Sequence, residues 1–502
     1  MNRIFLVFVS VFLTAASLIA QDAPKYVFTL DDVVQLAKEQ SPQAILARHR
    51  FRASYFSFME YRANFLPKLT LTANPTTWNH SIQMVETINR QTGEVEYYQA
   101  KKNTFNSTAG LALSQNIGLT GGNISLGSDF SRLQNFNDTT FRAKQFTTNP
   151  IGVSLRQPLN GYNQFRWLKA IEPLRFEEAK QNYLVQMERV AANAVSMFFS
   201  LAIAQVNLKM AQTNLENQER LYDISKGRHQ LGRIAEDQLL QVQLRYMQAE
   251  SSYNNAQIQI HSSESQLRSF LGFRDDVKIE LVIEPKIPSF TVNYEEALGL
   301  ALSRNPEIIA NNRQILEAES AVAQARAQKG ITMNMNASFG LNKTGYTFND
   351  AYTPAFDNTE RISVGITVPI LDWSQARNRL RNAQSILEVT EAQAQQNETE
   401  FKQNIFLYVM RFNMQENQLR IAAMSDTIAQ KSYDISYARY MIGQGDITVL
   451  NIADTAKDNA KIGFMGELRY YWDLYYMIRR LTLFDFQNNR PLEEDFDLII
   501  GE

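Results

Sequence analysis

Four histidines, His49, His80, His229 and His261, are the first side chains to weigh for chemistry. No two of them stand at metal-ligand spacing, and a chain without cysteine has no thiolate to complete a zinc site. The missing cysteine also excludes disulfides, thiol catalysis and lipid attachment through an N-terminal cysteine. Thr120-Gly121-Gly122-Asn123 is not a phosphate loop, because it follows one alternating segment and leads into another rather than into a helix. No Ser, His and Asp set has the context of a nucleophilic triad. The acid pairs Asp31-Asp32 and Glu295-Glu296 fall in the first turn of expected helices, where the helix dipole favours them. His229 reads as a solvated histidine rather than a pH sensor. The expectation is a protein that is not an enzyme, with no catalytic residue, no metal site and no cofactor.

The elements that carry these residues are written twice. LYDISKGRHQLGRIAEDQLL at 221–240 overlays SYDISYARYMIGQGDITVLN at 432–451 with an offset of 211, sharing Tyr222/Tyr433, Arg228/Arg439 and Gly232/Gly443. FTLDDVVQLAKEQSPQAI at 28–45 overlays TVNYEEALGLALSRNPEII at 291–309 with an offset of 264. VSLRQPLNGYNQFR at 153–166 overlays VGITVPILDWSQAR at 364–377, again at 211, with Pro158 over Pro369. The chain is therefore a tandem duplication with 53 extra residues in its first half, between about 74 and 152.

Within each half the order is helix, strands, long helix, return helix. Ser41-Pro42 and Asn305-Pro306 read as N-caps followed by proline at the first helical position. Leu69/Leu71/Ala73 and Val153/Leu155/Leu159 alternate in the first half, as do Met333/Met335/Ala337 and Ile362/Val364/Ile366/Val368 in the second, so strands with one apolar face are expected. Pro158 and Pro369 mark the strand-to-helix corners. Long helices are expected from Asn163 to about Gly227 and from Ser374 to about Ile442, each roughly 100 Å at ~1.5 Å per residue. Return helices follow at about 234–271 and 446–484. The extra residues hold a hairpin, 107–133, that either adds two strands to a sheet or stands above it; its turn at Gly121 is expected outside the cell in both cases. Trp78, Tyr97, Tyr98, Phe130, Tyr346, Phe348 and Tyr352 suit a membrane-interface belt or extracellular loops.

Residues 1–20 read as a secretory signal peptide, from Arg3, the apolar run Ile4–Ile19 and the small Ala20; an uncleaved anchor is the alternative. The apolar stretch 190–208 reads as the buried face of a long helix rather than a membrane span, because Asn193, Ser196, Gln205 and Asn207 interrupt it. With a net charge of −2 the chain has no electrostatic case for nucleic acid. The expected organisation is a signal peptide at 1–20, a first repeat at 21–274, a proline-bearing linker at 275–292, a second repeat at 293–485 and an acidic tail at 486–502. Strands too few to close a barrel cannot leave an edge open in lipid, so a barrel must be shared between copies. A cylinder of helices capped by such a barrel is a conduit.

The doubled LAxxxxPxxI opening, the P-(L/I)-x-x-(Y/W) corner and the doubled Y-x(9)-G-x(6)-L phrase resemble the TolC family of outer-membrane efflux proteins, over nearly all of the chain. The resemblance implies a mainly α fold with a β-barrel portion: a trimeric α-helical barrel plus a shared transmembrane β-barrel, built from two tandem repeats. It implies a homotrimer in outer-membrane lipid that extends into the periplasm, with four strands per chain. Its partners would be a periplasmic adaptor and an inner-membrane transporter of an efflux or type I secretion system. Gly232, Gly443 and Gly445 would lie in turns at the periplasmic tip. Asp237 matches an acid near the family's gate, whereas the family's frequent D-V-L-D falls on Thr448 to Asn451, where both acids are missing, although Asp446 and Asp454 are near. Tyr222, Arg228, Tyr433 and Arg439 either latch neighbouring helices there, or are seam packing and solvated charge. A surface-anchored structural or adhesive coiled coil is the other functional class; the second matched set of strands and helices argues for the duct.

Overall fold

Hydrogen bonds from capping side chains set the element boundaries in the computed structural model, which describes residues 25–88, 91–137, 143–273, 277–283 and 287–501. The expected signal peptide and parts of the 275–292 linker lie outside these. The first strand, β1 (Lys25–Phe28), leads into α1 (Leu30–Gln40), which opens on a capping box between Thr29 and Asp32. Buried Ser41 closes α1 through its N–H to the Ala37 carbonyl at 3.2 Å and caps α2 (Pro42–Ala63) by accepting from the Ala44 N–H at 3.1 Å. Four strands follow, β2 (Lys68–Ile88), β3 (Val95–Ile117), β4 (Gly122–Asn135) and β5 (Lys144–Asn160). The long helix α3 (Gln164–Gln230) and its return α4 (Glu236–Leu271) complete the repeat. Pro173 lies inside α3 without ending it.

After β6 (Lys278–Leu281) the same order recurs. Asn305 stands between α5 (Tyr294–Arg304) and α6 (Pro306–Lys329) as Ser41 does between α1 and α2, donating to the Ala301 carbonyl and accepting from the Glu307 N–H, both at 3.0 Å. Then come β7 (Thr332–Gly345), the short α7 (Phe348–Tyr352), β8 (Asp357–Thr367), α8 (Gln375–Met441) and α9 (Ile447–Thr482). The duplication keeps helix length: α3 and α8 each have 67 residues, α4 and α9 each 36. The short β9 (Phe484–Asp485), β10 (Arg490–Pro491) and α10 (Phe496–Ile500) end the chain.

The chain forms two compact units, to both of which α3 and α8 contribute residues. The first contains the described residues up to Ala53, Glu178–Ile308 and those from Glu398 onward. Its core explains the apolar stretch at 190–208, because Val190, Ala191, Ala194, Val195, Phe198, Phe199, Leu201 and Ala202 are all buried. α3 has the length and hydropathy to span a bilayer, but this segment is filled-in interior. Two expectations change here. The linker is partly a strand, since β6 pairs in parallel with β1, from Lys25 opposite Lys278 to Phe28 opposite Leu281. The acidic tail folds back, placing the Phe496 ring 5.0 Å from Phe51 and 6.2 Å from Tyr183.

The second unit, Ser54–Glu177 with Ile309–Asn397, holds one six-stranded sheet in the order β2-β3-β4-β5-β7-β8. Every neighbouring pair is antiparallel. The four strands per chain that the resemblance implies are thus two too few: the 107–133 hairpin lies within the sheet. Its turn is also at the other end from the one expected. Asn163, which caps α3 through the Phe165 N–H at 3.0 Å, donates to the carbonyls of Gly118 and Leu119 at 3.1 and 3.0 Å. Gly121, at φ +78°, therefore sits beside the helix start rather than at the opposite end of the strands. Pro158 does not end β5, which bulges there and continues to Asn160, whereas Pro369 follows β8.

Candidate functional site

The two turns at the ends of the long helices are built alike. α3 ends with the Arg233 N–H on the Arg228 carbonyl at 2.8 Å, and α8 with the Gln444 N–H on the Arg439 carbonyl at 3.0 Å. Gly232 and Gly443 occupy the left-handed position that this six-to-one closure requires, at φ +66° and +78°. Gly445 answers a different demand. A Cβ there would stand 2.8 Å from the Tyr440 backbone nitrogen, so the second turn folds back closely on its own helix. α4 starts at Ala235 without a side-chain cap, while Asp446 caps α9 by accepting from the Thr448 N–H at 2.7 Å.

Just behind the turns the two helix pairs meet in one apolar cluster of Leu221, Val242, Tyr433, Tyr440, Ile447, Leu450 and Ala453. Hydrogen bonds lock its polar tips across the seam. The buried Ser225 hydroxyl lies 3.2 Å from the Tyr440 hydroxyl, and Asn217 Nδ2 donates to the Tyr433 hydroxyl at 3.1 Å. Arg228 Nη2 donates to the carbonyl of Met441 at 3.3 Å, filling one of the acceptors that the end of α8 leaves open, and its guanidinium lies over the Tyr440 ring. Lys457 sits 4.0 Å from the centre of the Tyr433 ring and bonds Asp454 at 2.7 Å and Asn214 at 3.2 Å. Burial, reinforced by the Asp454 charge, raises the Tyr433 phenol far above its ordinary value, so it stays neutral. Burial also raises Asp458, despite the Lys457 charge beside it. Asn214, Asp454 and Asp458 border a cavity of about 580 Å³ between α3, α4 and α9.

The residues singled out from the doubled phrase thus fall into different settings. Tyr433 and Arg228 bind across the seam. Tyr222 packs on the edge of the cluster and stacks on Tyr246 of its own pair at 5.9 Å. Arg439 is exposed, and among the described residues its side chain has no hydrogen bond or ion pair. Asp237, Asp446 and Thr448 are exposed and Asn451 is half-buried, all near the turns. Tyr440, Ser225, Asn217 and Lys457 were not singled out. Ser225 is repeated as Ser436, but the counterparts of Tyr440, Asn217 and Lys457 are His229, Ile428 and Tyr246, so no doubling marks them. Among the described residues no three His, Asp or Glu side chains converge to hold a metal ion.

The sheet supplies the other functional surface. Paired residues share a face, and one face carries an apolar row over five strands, Leu69, Leu113, Leu126, Val153 and Phe339; on β8 the row ends at Glu360, and Ile362, Val364 and Ile366 continue the apolar face. The next row on the opposite face reads Lys68, Ser114, Ser125, Ser154, Ser338, Arg361. Toward the end away from the helices Phe130 packs with Phe146, Phe348 and Tyr352 at 5.6–6.3 Å. Tyr97 and Tyr98 lie on a two-stranded extension of β2 and β3 that runs past the last pair of β3 with β4, Thr104 opposite Asn135.

Comparison with known proteins joins these surfaces to a family. Residues 121–273 and 297–463, one block in each repeat, match the family described as outer membrane efflux protein. The alkaline protease secretion protein AprF of Pseudomonas aeruginosa is 20% identical over 237 residues. That match covers 46% of this chain and about half, 48%, of AprF. Among solved structures, the Campylobacter jejuni CmeC outer membrane channel superposes with a TM-score of 0.64 at 17% identity, over 94% of this chain and 88% of that one. The outer membrane protein VceC of Vibrio cholerae gives 0.60 at 13% identity, over 92% and 97%. At such identities these likenesses concern the fold.

Proposed function

The chain belongs to the outer membrane efflux protein family, and from that premise we propose that it is the outer-membrane exit duct of a tripartite efflux or type I secretion system. Three copies form one passive channel, the sheets sharing a barrel in outer-membrane lipid and the helix pairs forming a tunnel in the periplasm. An inner-membrane transporter and a periplasmic adaptor supply cargo and energy, and the duct itself does no chemistry. The observation that carries this reading is a sheet with one apolar and one polar face and two unpaired edges, joined in each repeat to a helix pair of matched length. Purified in mild detergent, the protein is expected to be a trimer and to conduct ions in planar bilayers. A monomer, or a trimer that never conducts, sinks the reading in favour of a surface stalk.

The turns serve as the gated periplasmic entrance. Arg228 holds the last carbonyl of α8 within the chain, and Arg439 is its counterpart in the second repeat. By repeat equivalence Arg439 holds the carbonyl of Gln230, the last residue of α3, in the next copy, which gives its exposed side chain a partner in the trimer. Arg439→Ala is expected to lengthen open times in single-channel recordings. An unchanged closed state removes the latch.

A further inference from the structure

We propose that three copies of this chain close an eighteen-stranded barrel, with the hairpin formed by β3 and β4 as a full part of its wall. The inference rests on the trimeric channel reading and adds the strand number, the seam and the resulting width of the pore.

Each chain brings six strands in unbroken order, so β3 and β4 cannot leave the wall without tearing the sheet between β2 and β5. Their outward residues are as apolar as those of the other strands. Leu111 and Leu113 on β3, with Ile124 and Leu126 on β4, lie on the same face as Leu69 and Val153 and are exposed. Exposure of that kind suits lipid and is costly in water. The opposite face offers small polar residues, as a water-filled lumen demands. Beside the serine row runs Thr70, Ala112, Gly127, Gly152, Gly340, Thr359. Three of the four central strands carry glycine in that row, and Asn149 leans against Gly152 and Gly340 at 3.2 Å from where a Cβ would be. Bulges in the register between Gly127 and Asp129, and between Thr148 and Ile151, lie beside the same glycines. Glycine kinks with bulges are the means by which a sheet curls, here toward its polar face.

The edges complete the argument. Among the described residues β2 pairs only with β3 and β8 only with β7, and lipid offers no water to satisfy an unpaired backbone group. Six strands alternate in direction, so β2 and β8 run antiparallel, and β8 of one copy can extend the ladder of β2 in the next. Their outward residues match: Leu69, Leu71 and Ala73 on β2, Ile362, Val364 and Ile366 on β8. The two bands align when Leu71 faces Val364, which sets Thr70 opposite Gly365. Eighteen is an even number, as a closed antiparallel barrel requires, and barrels of this size enclose an aqueous channel. Relative to twelve strands the wall is about one and a half times as wide.

The absence of cysteine makes the test direct. Nitroxide labels at Leu113→Cys and Leu126→Cys, with Leu69→Cys and Val364→Cys as edge references and Ser125→Cys as the lumen reference, are measured in liposomes against oxygen and a water-soluble nickel chelate. In parallel, Thr70→Cys is combined with Arg361→Cys, Ser363→Cys or Gly365→Cys and oxidised. The proposal expects all four leucine and valine sites to favour oxygen, Ser125 to favour nickel, and covalent trimers with Gly365→Cys but not with Arg361→Cys. If Leu69 and Val364 meet lipid while Leu113 and Leu126 meet water, the hairpin stands outside the wall; the eighteen-stranded barrel falls and the channel reading survives. If none of the four meets lipid and no covalent trimer forms, both fall.

Discussion

Arg479 is where the helical unit concentrates its charge. Its guanidinium donates to Glu188 at 2.9 Å, to Asp485 at 2.7 Å and to the Tyr475 hydroxyl at 2.9 Å, while Lys38 reaches the same Glu188 at 2.6 Å. Glu188 is almost wholly buried in α3, so removing the Arg479 guanidinium leaves its carboxylate with Lys38 alone and Asp485 with no cation. Arg479→Ala should therefore destabilise the protein by about 3–5 kcal/mol, read as an earlier urea or heat transition of the detergent-solubilised trimer. Asp485 adds a pH signature. Burial opposes its ionisation, but bonds from Asn488 and the Arg479 charge outweigh burial and hold the carboxyl below its ordinary value. With the folded value depressed, its contribution is complete above the ordinary carboxylate pKa of about 4 and is lost as the pH falls through the folded value. Heat stability should drop in that acid range, and Asp485→Asn should flatten the drop. None of this was legible in the sequence, since Glu188 and Arg479 are 291 residues apart and neither belongs to a repeated phrase.

Elements were more legible, because helix ends are written in local chemistry. Ser41-Pro42, Asn305-Pro306, Gly232 and Gly443 stand where the caps and turns require them, and only neighbours a few residues away are involved. Gly445 is the exception that tests the idea. Gly443→Ala meets open space and bears only the left-handed backbone penalty of about 1–2 kcal/mol. Gly445→Ala drives a methyl group into the Tyr440 backbone, so it should loosen the second turn more. Hydrogen exchange over residues 438–448 checks this: amides there should exchange faster in Gly445→Ala than in Gly443→Ala, and equal rates would remove the steric account. The strands were read only in part. Alternation is plain at Leu69/Leu71/Ala73 and fades after Asn74, yet β2 runs on to Ile88. Beyond the apolar band neither face requires greasy residues, so the period-two signal stops while the ladder continues.

For the whole molecule, the two repeats are equal in helix length and unequal at the turns proposed as the entrance. The first keeps Asp237, and the second has Thr448 in its place. In the proposed trimer, three exposed Asp237 carboxylates would be the charge that this register offers to entering ions, and rings of acid select for cations. Asp237→Asn should lower the potassium-over-chloride permeability ratio, measured as a reversal potential across a salt gradient; an unchanged ratio means the ring lies off the ion path. The sequence alone determined the duplication, the order of elements, the family and the turns, because each depends on residue type at fixed spacing along the chain. Tertiary structure decided what the spacing leaves open. It brought β3 and β4 into the sheet and put the Gly121 turn beside the start of α3. It gave Arg228 a partner that Arg439 lacks among the described residues, and it paired Glu188 with Arg479. The physical reason is the same in each case: these outcomes depend on which surfaces remain unsatisfied after the local elements form, and hydrogen bonding, burial and lipid act on those surfaces without regard to distance along the sequence.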